Sequence, residues 1–303
     1  MTEGVDCSAA SCVSAIKTFV ENGKTLLELA VKESQEGSLQ DFIQQKIRIE
    51  CDQSLLGLIE AAAALYRSLS VKKKKDAEDL WRKWYRVAEL QDAVEDFLQL
   101  GVEWDAFLEH LDNKVYQSET TRDQGAPARL VAPDTQLINA RTGERLTLDR
   151  YLGKGEKILL VLIRQFSCLL CRLHLKDLEA NQRALDARSL RVVVVSFGCQ
   201  EGAQHWLQET GCRYDMLLDP HRKLYSTLGL GSSLKKVLNF NNMLLYGEYL
   251  LANMEFPRGL PTIQDDMFQL GGDFIVDEQG RLLFSHRCQS PIDRPSLKDI
   301  LAA

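Results

Sequence analysis

An all-α helical bundle followed by an α/β domain is the fold class the sequence predicts, and three observations carry it. Proline is absent from Met1 to Gly125, and all seven prolines fall between Pro127 and Pro295. The charge balance changes at the same place. Up to Ala126 there are 15 Lys and Arg against 23 Asp and Glu, net −8, and from Pro127 onward 22 against 20, net +2, which together make the −6 of the chain. Beyond the boundary, two β-rich apolar runs at 157–164 and 191–197 flank a helical stretch, the pattern of two parallel strands joined by a crossover helix. A chain of 303 residues, 45% hydrophobic and 26% charged, suits two ordinary soluble domains with a sizeable core. We place a helical-bundle domain at 1–120 and an α/β domain at 121–303.

In the first part, apolar residues recur at three- and four-residue spacing, the signature of one helix face. Ile16, Phe19, Val20, Leu26, Leu27 and Ala30 mark a first helix, and Leu39, Phe42, Ile43 and Ile47 a second. Leu55, Ile59, Ala62, Ala63 and Tyr66 mark a third, and Leu80, Trp84, Val87, Val94 and Phe97 a fourth, with Gly37 and Gly101 as stops. A bundle of four or five helices follows. The run Lys72–Lys75 is followed at once by Asp-Ala-Glu-Asp in a net acidic domain, so it predicts a solvated helix start and no nucleic-acid partner. The aromatic cluster 80–86 reads as core and rim packing. The opening stretch is polar and acidic, with no apolar run of signal-peptide or membrane-span length, and a cytoplasmic chain is expected.

The second part begins with 135–152, read as a hairpin. The strand 157–164, the helical stretch 169–188 and the strand 191–197 make a β-α-β unit. Residues 272–287 are two strands around a turn in which Gly280 suits positive φ, and 294–303 closes as a helix. A β-α-β unit followed by a β-β-α unit is the thioredoxin-like order. An insertion, 231–269, precedes the hairpin; its stripe "VLNFNNMLLYGEYLLANMEF" is interrupted by three Asn, Gly247 and Glu248. Packing over the sheet is expected of it, with a lid or partner surface beside the thiols as the sharper alternative.

Cys168 and Cys171 fall where the first strand gives way to the helix. Free backbone amides at a helix N-terminus stabilise a thiolate, and a Cys-x-x-Cys spacing lets the second sulfur swing onto the first. Cys168 is therefore the candidate nucleophile, partly exposed, and Cys171 the candidate resolving thiol. Arg164 and Arg172 flank the pair as candidate tuning charges, and His174 reads as an incidental helix-face residue. Closed zinc sites use four ligands, and only one Cys pair is present, so no metal and no bound cofactor are expected. Cys7, Cys12, Cys51, Cys199, Cys212 and Cys288 read as ordinary thiols of a reducing compartment.

The segments "VLIRQFSCLLCRLHLKDL", "LRVVVVSFG" and "QLGGDFIVDEQGRLLFSHR" resemble the peroxiredoxin-like branch of the AhpC/TSA superfamily. Within it the resemblance narrows to the selenoprotein L group, which carries two selenocysteines at the spacing of Cys168 and Cys171. It covers about 127–303 and extends in part to the helical region. It implies a peroxiredoxin-like thioredoxin fold, a redox-active pair, and a peroxide or protein disulfide as oxidant with a thiol reductant. Two departures stand out. Val161 and Gln165 replace the Pro and the Thr/Ser that precede the reactive cysteine of most peroxiredoxins, and Ser167, Leu169 and Leu170 replace the Trp and Gly-Pro of thioredoxin's loop. The resulting expectation is a thiol-disulfide or peroxide oxidoreductase. Its rival is an interaction or redox-sensor protein that recruits a protein partner through the helical domain.

Overall fold

The computed structural model describes residues 8–43, 54–120, 129–258, 260, 262–263 and 266–303. Cys7, Ile47 and Cys51, and most of the stretch that joins the two expected domains, lie outside the described residues. The chain divides into two compact units, 1–117 with 238–255 and 118–237 with 256–303.

The first unit is helical. Helix α1 (Ala9–Glu33) starts at Ser8, whose hydroxyl accepts the Ser11 amide at 3.1 Å, satisfying one of the donors a helix start leaves free. It buries Cys12, Ile16, Phe19, Val20, Gly23, Leu27 and Ala30, a three-and-four spacing that lays one stripe inward. The chain turns through Gly37 into a single turn, α2 (Leu39–Asp41), and then forms α3 (Gly57–Ser68), α4 (Lys74–Lys83) and α5 (Ala88–Thr120). Lys72, Lys73 and Lys75 are exposed at the start of α4, as a solvated helix start requires.

Two helix ends differ from expectation. The stripe from Leu80 to Phe97 is broken at 84–87 between α4 and α5, and Gly101 does not stop a helix, because α5 runs through it. A Cβ at Gly101 would lie 2.8 Å from the Phe240 ring. The glycine is there for close approach.

That approach identifies the missing wall of the bundle. Helix α11 (Phe240–Leu251), from the insertion, packs in the helical unit and not over the sheet. Phe240 lies 5.2 Å from Phe97 and 6.0 Å from Phe19, centroid to centroid. The Trp104 indole donates to the Leu238 carbonyl at 2.9 Å and the Tyr66 hydroxyl to the Leu244 carbonyl at 3.3 Å. Gly247 sits against Ala62 so closely that a Cβ would be 2.7 Å from that methyl. The α3 stripe of Ala62, Ala63 and Tyr66 thus meets Met243, Leu244 and Gly247, small against large. Aromatic pairs of this kind add about 0.5–1.5 kcal/mol each beyond area burial.

The second unit is built on one seven-stranded sheet in the order β2-β1-β5-β4-β3-β6-β7. Its strands are β1 (Gln136–Asn139), β2 (Arg145–Thr147), β3 (Lys157–Leu162), β4 (Leu190–Ser196), β5 (Asp215–Leu218), β6 (Gly272–Val276) and β7 (Leu282–Arg287). β3 and β4 are parallel, with Leu160 opposite Val193; β6 runs antiparallel beside β3, and β7 antiparallel beside β6. β1 and β2 are the expected hairpin. Helices α6 (Leu169–Ala180), α7 (Gln182–Asp186), α8 (Gln200–Thr210), α9 (Lys223–Thr227), α10 (Leu234–Leu238) and α12 (Leu297–Ala302) connect and cover the strands. The expected helical stretch 169–188 is two helices, divided at Asn181. Gly280 takes φ +81° in the β6–β7 turn, a conformation open to glycine without strain. Ser296 and Asp299 form a capping box on α12. The order of strands and helices is thioredoxin-like, with the β1–β2 hairpin ahead of it. Alternate side chains of β3 divide between two cores: Leu159, Val161 and Ile163 on one face, Ile158, Leu160 and Leu162 on the other. Residues of β3 are buried on both faces, which is why the run is apolar throughout.

Candidate active site

The site grows from the end of β3. After Leu162 the chain leaves the sheet, passes Ile163 to Ser167 without regular structure, and enters α6 with Cys168 as the residue that caps it. Cys168 is extended, φ −76° and ψ 104°, and its sulfur accepts the Cys171 amide at 3.2 Å. The two cysteines are joined as a disulfide with Cα atoms 5.4 Å apart.

Cys168 was expected to be partly exposed; it is 4% exposed and Cys171 0%. The loop before the helix is drawn inward by two side chains. The Phe166 ring packs onto Gly198 and Gly202, where a Cβ would lie 2.3 and 2.6 Å from it. The Arg164 guanidinium donates from Nε to the Gln269 carbonyl at 3.1 Å and from Nη2 to the Met267 carbonyl, tying the loop to the segment that precedes β6. The disulfide therefore belongs to the apolar core beneath the sheet, yet its polar neighbours are charged.

Each sulfur has its own guanidinium. Arg164 Nη1 is 4.0 Å from Cys168 Sγ, and Arg164 also gives its backbone amide to Cys171 Sγ at 3.5 Å. Arg294 Nη2 is 3.4 Å from Cys171 Sγ and 3.3 Å from the Leu162 carbonyl, and its Nη1 donates to Asp273 Oδ2 at 2.8 Å. Asp273, wholly buried on β6, holds His174 Nε2 at 2.6 Å through its other oxygen. Burial pushes the Asp273 carboxyl up, but Arg294 and His174 outweigh it and hold the pKa below the usual carboxylate range. Burial works against the Arg294 cation as well; Cys288 and Asp273 more than offset it, and its pKa is raised.

Of the residues singled out from sequence, Cys168, Cys171 and Arg164 come together. Arg172 does not join them: it donates to the Phe166 carbonyl at 3.0 Å and pairs with Glu209 at 2.8 Å, steadying the loop from outside. His174 is not the incidental helix-face residue expected, because one turn beyond Cys171 it faces β6 and meets Asp273. Asp273, within the late segment that carries the resemblance, and Arg294 have no spacing that ties them to the cysteine pair, lying 105 and 126 positions from Cys168. Gly271 is needed beside them, since a Cβ there would lie 2.3 Å from the Leu162 carbonyl and 2.8 Å from Arg294 Nη2. Among the other described thiols, Cys12, Cys212 and Cys288 are buried and Cys199 is exposed. Burial pushes Cys212 and Cys288 up to about 11. They are poor nucleophiles at neutral pH.

Among the described residues no group of three or more His, Cys, Asp or Glu is placed to hold a metal ion. No described helix is long and apolar enough to cross a membrane.

Comparison with known proteins finds likenesses that cover this unit. The family model for AhpC/TSA antioxidant enzyme matches residues 177–290, a span that begins after the cysteine pair and includes Asp273. Human peroxiredoxin-like 2C is 23% identical over 185 residues, covering 59% of this chain and 81% of that protein. The prostamide/prostaglandin F synthase of Xenopus tropicalis is 28% identical over 167 residues, covering 54% and 81%. Among solved structures, the Xanthomonas campestris bacterioferritin comigratory protein, described in terms of alkyl peroxide reduction, is 13% identical, covers 54% of this chain and 87% of its own, and superposes with a TM-score of 0.38. A cysteine-to-serine mutant of Arenicola marina peroxiredoxin 6 gives 13% identity, 58% and 71% coverage, and a TM-score of 0.42.

Proposed function

We propose that the chain is a peroxiredoxin-like thiol peroxidase of thioredoxin fold, working through Cys168 and Cys171. The single observation that carries this reading is the disulfide between a helix-capping Cys168 and a Cys171 one turn on.

In the reduced enzyme the Cys168 thiolate attacks the distal oxygen of a peroxide. An S–O bond forms, the O–O bond breaks, and the departing alkoxide takes a proton to leave as alcohol. The Cys171 thiolate then attacks the Cys168 sulfur, forming the S–S bond and expelling hydroxide, which becomes water on protonation. An external thiol reductant restores both thiols by exchange at the disulfide. Near-complete burial of both sulfurs favours a small oxidant over a protein disulfide, because a folded protein cannot approach Cys168 unless the first turn of α6 opens. The finer placement beside the selenoprotein L group belongs to the same proposal, with sulfur doing at 168 and 171 what selenium does there. So does a cytoplasmic location, where thiol reductants are at hand.

The test separates the two sulfurs. Cys168→Ser abolishes reaction with peroxide, whereas Cys171→Ser still consumes one equivalent and stops at a Cys168 sulfenic acid that a trapping reagent labels in mass spectra. A Cys168→Ser chain that turns over like the parent sinks the assignment. No turnover in either variant or in the parent leaves a redox sensor or interaction protein in place of the enzyme.

A further inference from the structure

We infer that Arg294 is a catalytic residue of the resolving step: its guanidinium holds Cys171 as the thiolate that attacks oxidised Cys168, and Asp273 and His174 are positioning residues that hold Arg294. The inference rests on the thiol-peroxidase reading above and deepens it, since the guanidiniums at the two sulfurs come from distant parts of the chain and divide the two half-steps between them.

The geometry argues for this division. Arg294 Nη2 lies 3.4 Å from Cys171 Sγ, within hydrogen-bond reach of a sulfur acceptor, whereas Arg164 Nη1 stands 4.0 Å from Cys168. The Arg294 side chain is only 7% exposed, so its field acts in a medium that screens weakly. It has no freedom to swing away. Nη1 is fixed on Asp273 at 2.8 Å and Asp273 on His174 at 2.6 Å. The segment that carries Arg294 is pinned by Asp293, which takes the Gln289 amide at 2.7 Å and His286 Nε2 at 2.9 Å. Gly271, with no Cβ, lets the Leu162 carbonyl accept from Arg294 Nη2 at 3.3 Å beside it.

Chemistry supplies the reason for such a construction. A fully buried thiol resists ionisation, and the nucleophile is the thiolate. The Arg164 N–H is the backbone donor that Cys171 accepts, and a fixed cation beside it is the means at hand to make the thiolate available. When that thiolate attacks the Cys168 sulfenic acid, the S–S bond forms, the S–O bond breaks, and hydroxide leaves to be protonated to water. In the reverse sense, an external thiolate attacks Cys168 and Cys171 departs as a thiolate already facing its counter-ion.

The test is a single-turnover experiment on the full-length chain, reduced, desalted and mixed with one equivalent of hydrogen peroxide. Two rates are followed: appearance of trappable sulfenic acid at Cys168, and its loss into the disulfide. A hydrogen bond to a charged group supports an expected effect of about 10- to 100-fold. Arg294→Gln forms the sulfenic acid at the parent rate and loses it that much more slowly. Arg294→Lys, which keeps the charge and guards against a folding defect in the glutamine variant, recovers most of the resolving rate. The inference is overturned if Arg294→Gln resolves at the parent rate, or if both rates fall by the same factor, which marks a structural defect. A parent chain that forms no sulfenic acid at all fails the thiol-peroxidase reading itself, and is told apart by the missing first phase.

Discussion

Replacing Asp273 by Asn keeps the shape of the side chain and one acceptor but removes the carboxylate bonded to Arg294. The structure sets the magnitude. Both oxygens are committed, one to Arg294 at 2.8 Å and one to His174 at 2.6 Å, and the residue is wholly buried. Breaking a buried pair by neutralising one partner costs about 3–5 kcal/mol, because the other charge is left uncompensated. Against a total stability of roughly 5–15 kcal/mol, that is a large fraction, and it lowers the melting midpoint of a unit of this size by roughly 6–20 °C. Calorimetry of the oxidised protein, with amide exchange of β3 and β6 as a local reporter, measures it. The pH dependence carries a second signature. The folded-state pKa of Asp273 is depressed, so its contribution is present above the unfolded value of about 4 and is lost as pH falls through the lower folded value. The parent therefore loses stability below about pH 4 by an increment that Asp273→Asn lacks. A variant within about 1 kcal/mol of the parent, with the same acid profile, would refute the buried-pair reasoning.

Gly271→Ala forces a Cβ to within 2.3 Å of the Leu162 carbonyl and 2.8 Å of Arg294 Nη2; overpacking of this kind costs about 1–3 kcal/mol, and peroxide turnover falls with it, which a coupled activity assay reads. Phe240→Ala removes a ring that meets both Phe19 and Phe97 and destabilises the helical unit by about 3–5 kcal/mol, seen in chemical denaturation followed by Trp81 and Trp104 fluorescence. Limited proteolysis is expected to nick first within 117–129, the polar stretch of the proposed domain boundary; scattered early cleavage counts against that boundary.

Much of the fold was legible because its signals are local. β3 and β4 are continuous apolar runs, the 272–287 hairpin has its glycine, and α1 repeats its stripe along its length. β5 was missed: four residues, Asp215 to Leu218, with no β-branched side chain, give too little pattern to read. The cysteine pair announced itself by spacing, but its burial did not, because the cover comes from Phe166 packing on distant glycines and from Arg164 reaching the carbonyls of Met267 and Gln269. Asp273 and Arg294 are likewise brought to Cys171 by strand pairing and the return of the chain after β7, neither of which leaves a mark in the local sequence. The insertion misled for the opposite reason. Neighbours in sequence suggested the sheet as its partner, while the match of Gly247 to Ala62 and of Phe240 to Gly101 is a matter of shape between segments far apart.

That match bears on how the chain is made. A helical unit that needs residues 240–251 cannot be completed while the first 120 residues alone have left the ribosome, so the usual order of N-terminal unit first is closed to it. Until the later segment emerges, the nascent bundle carries Phe19, Phe97 and the alanines of α3 without their covering helix, and chaperones that bind exposed apolar faces have their longest opportunity there. The same arrangement means that a nick near residue 120 need not release the N-terminal piece, since the later segment still holds it, and the two fragments are expected to elute together until denaturant is added.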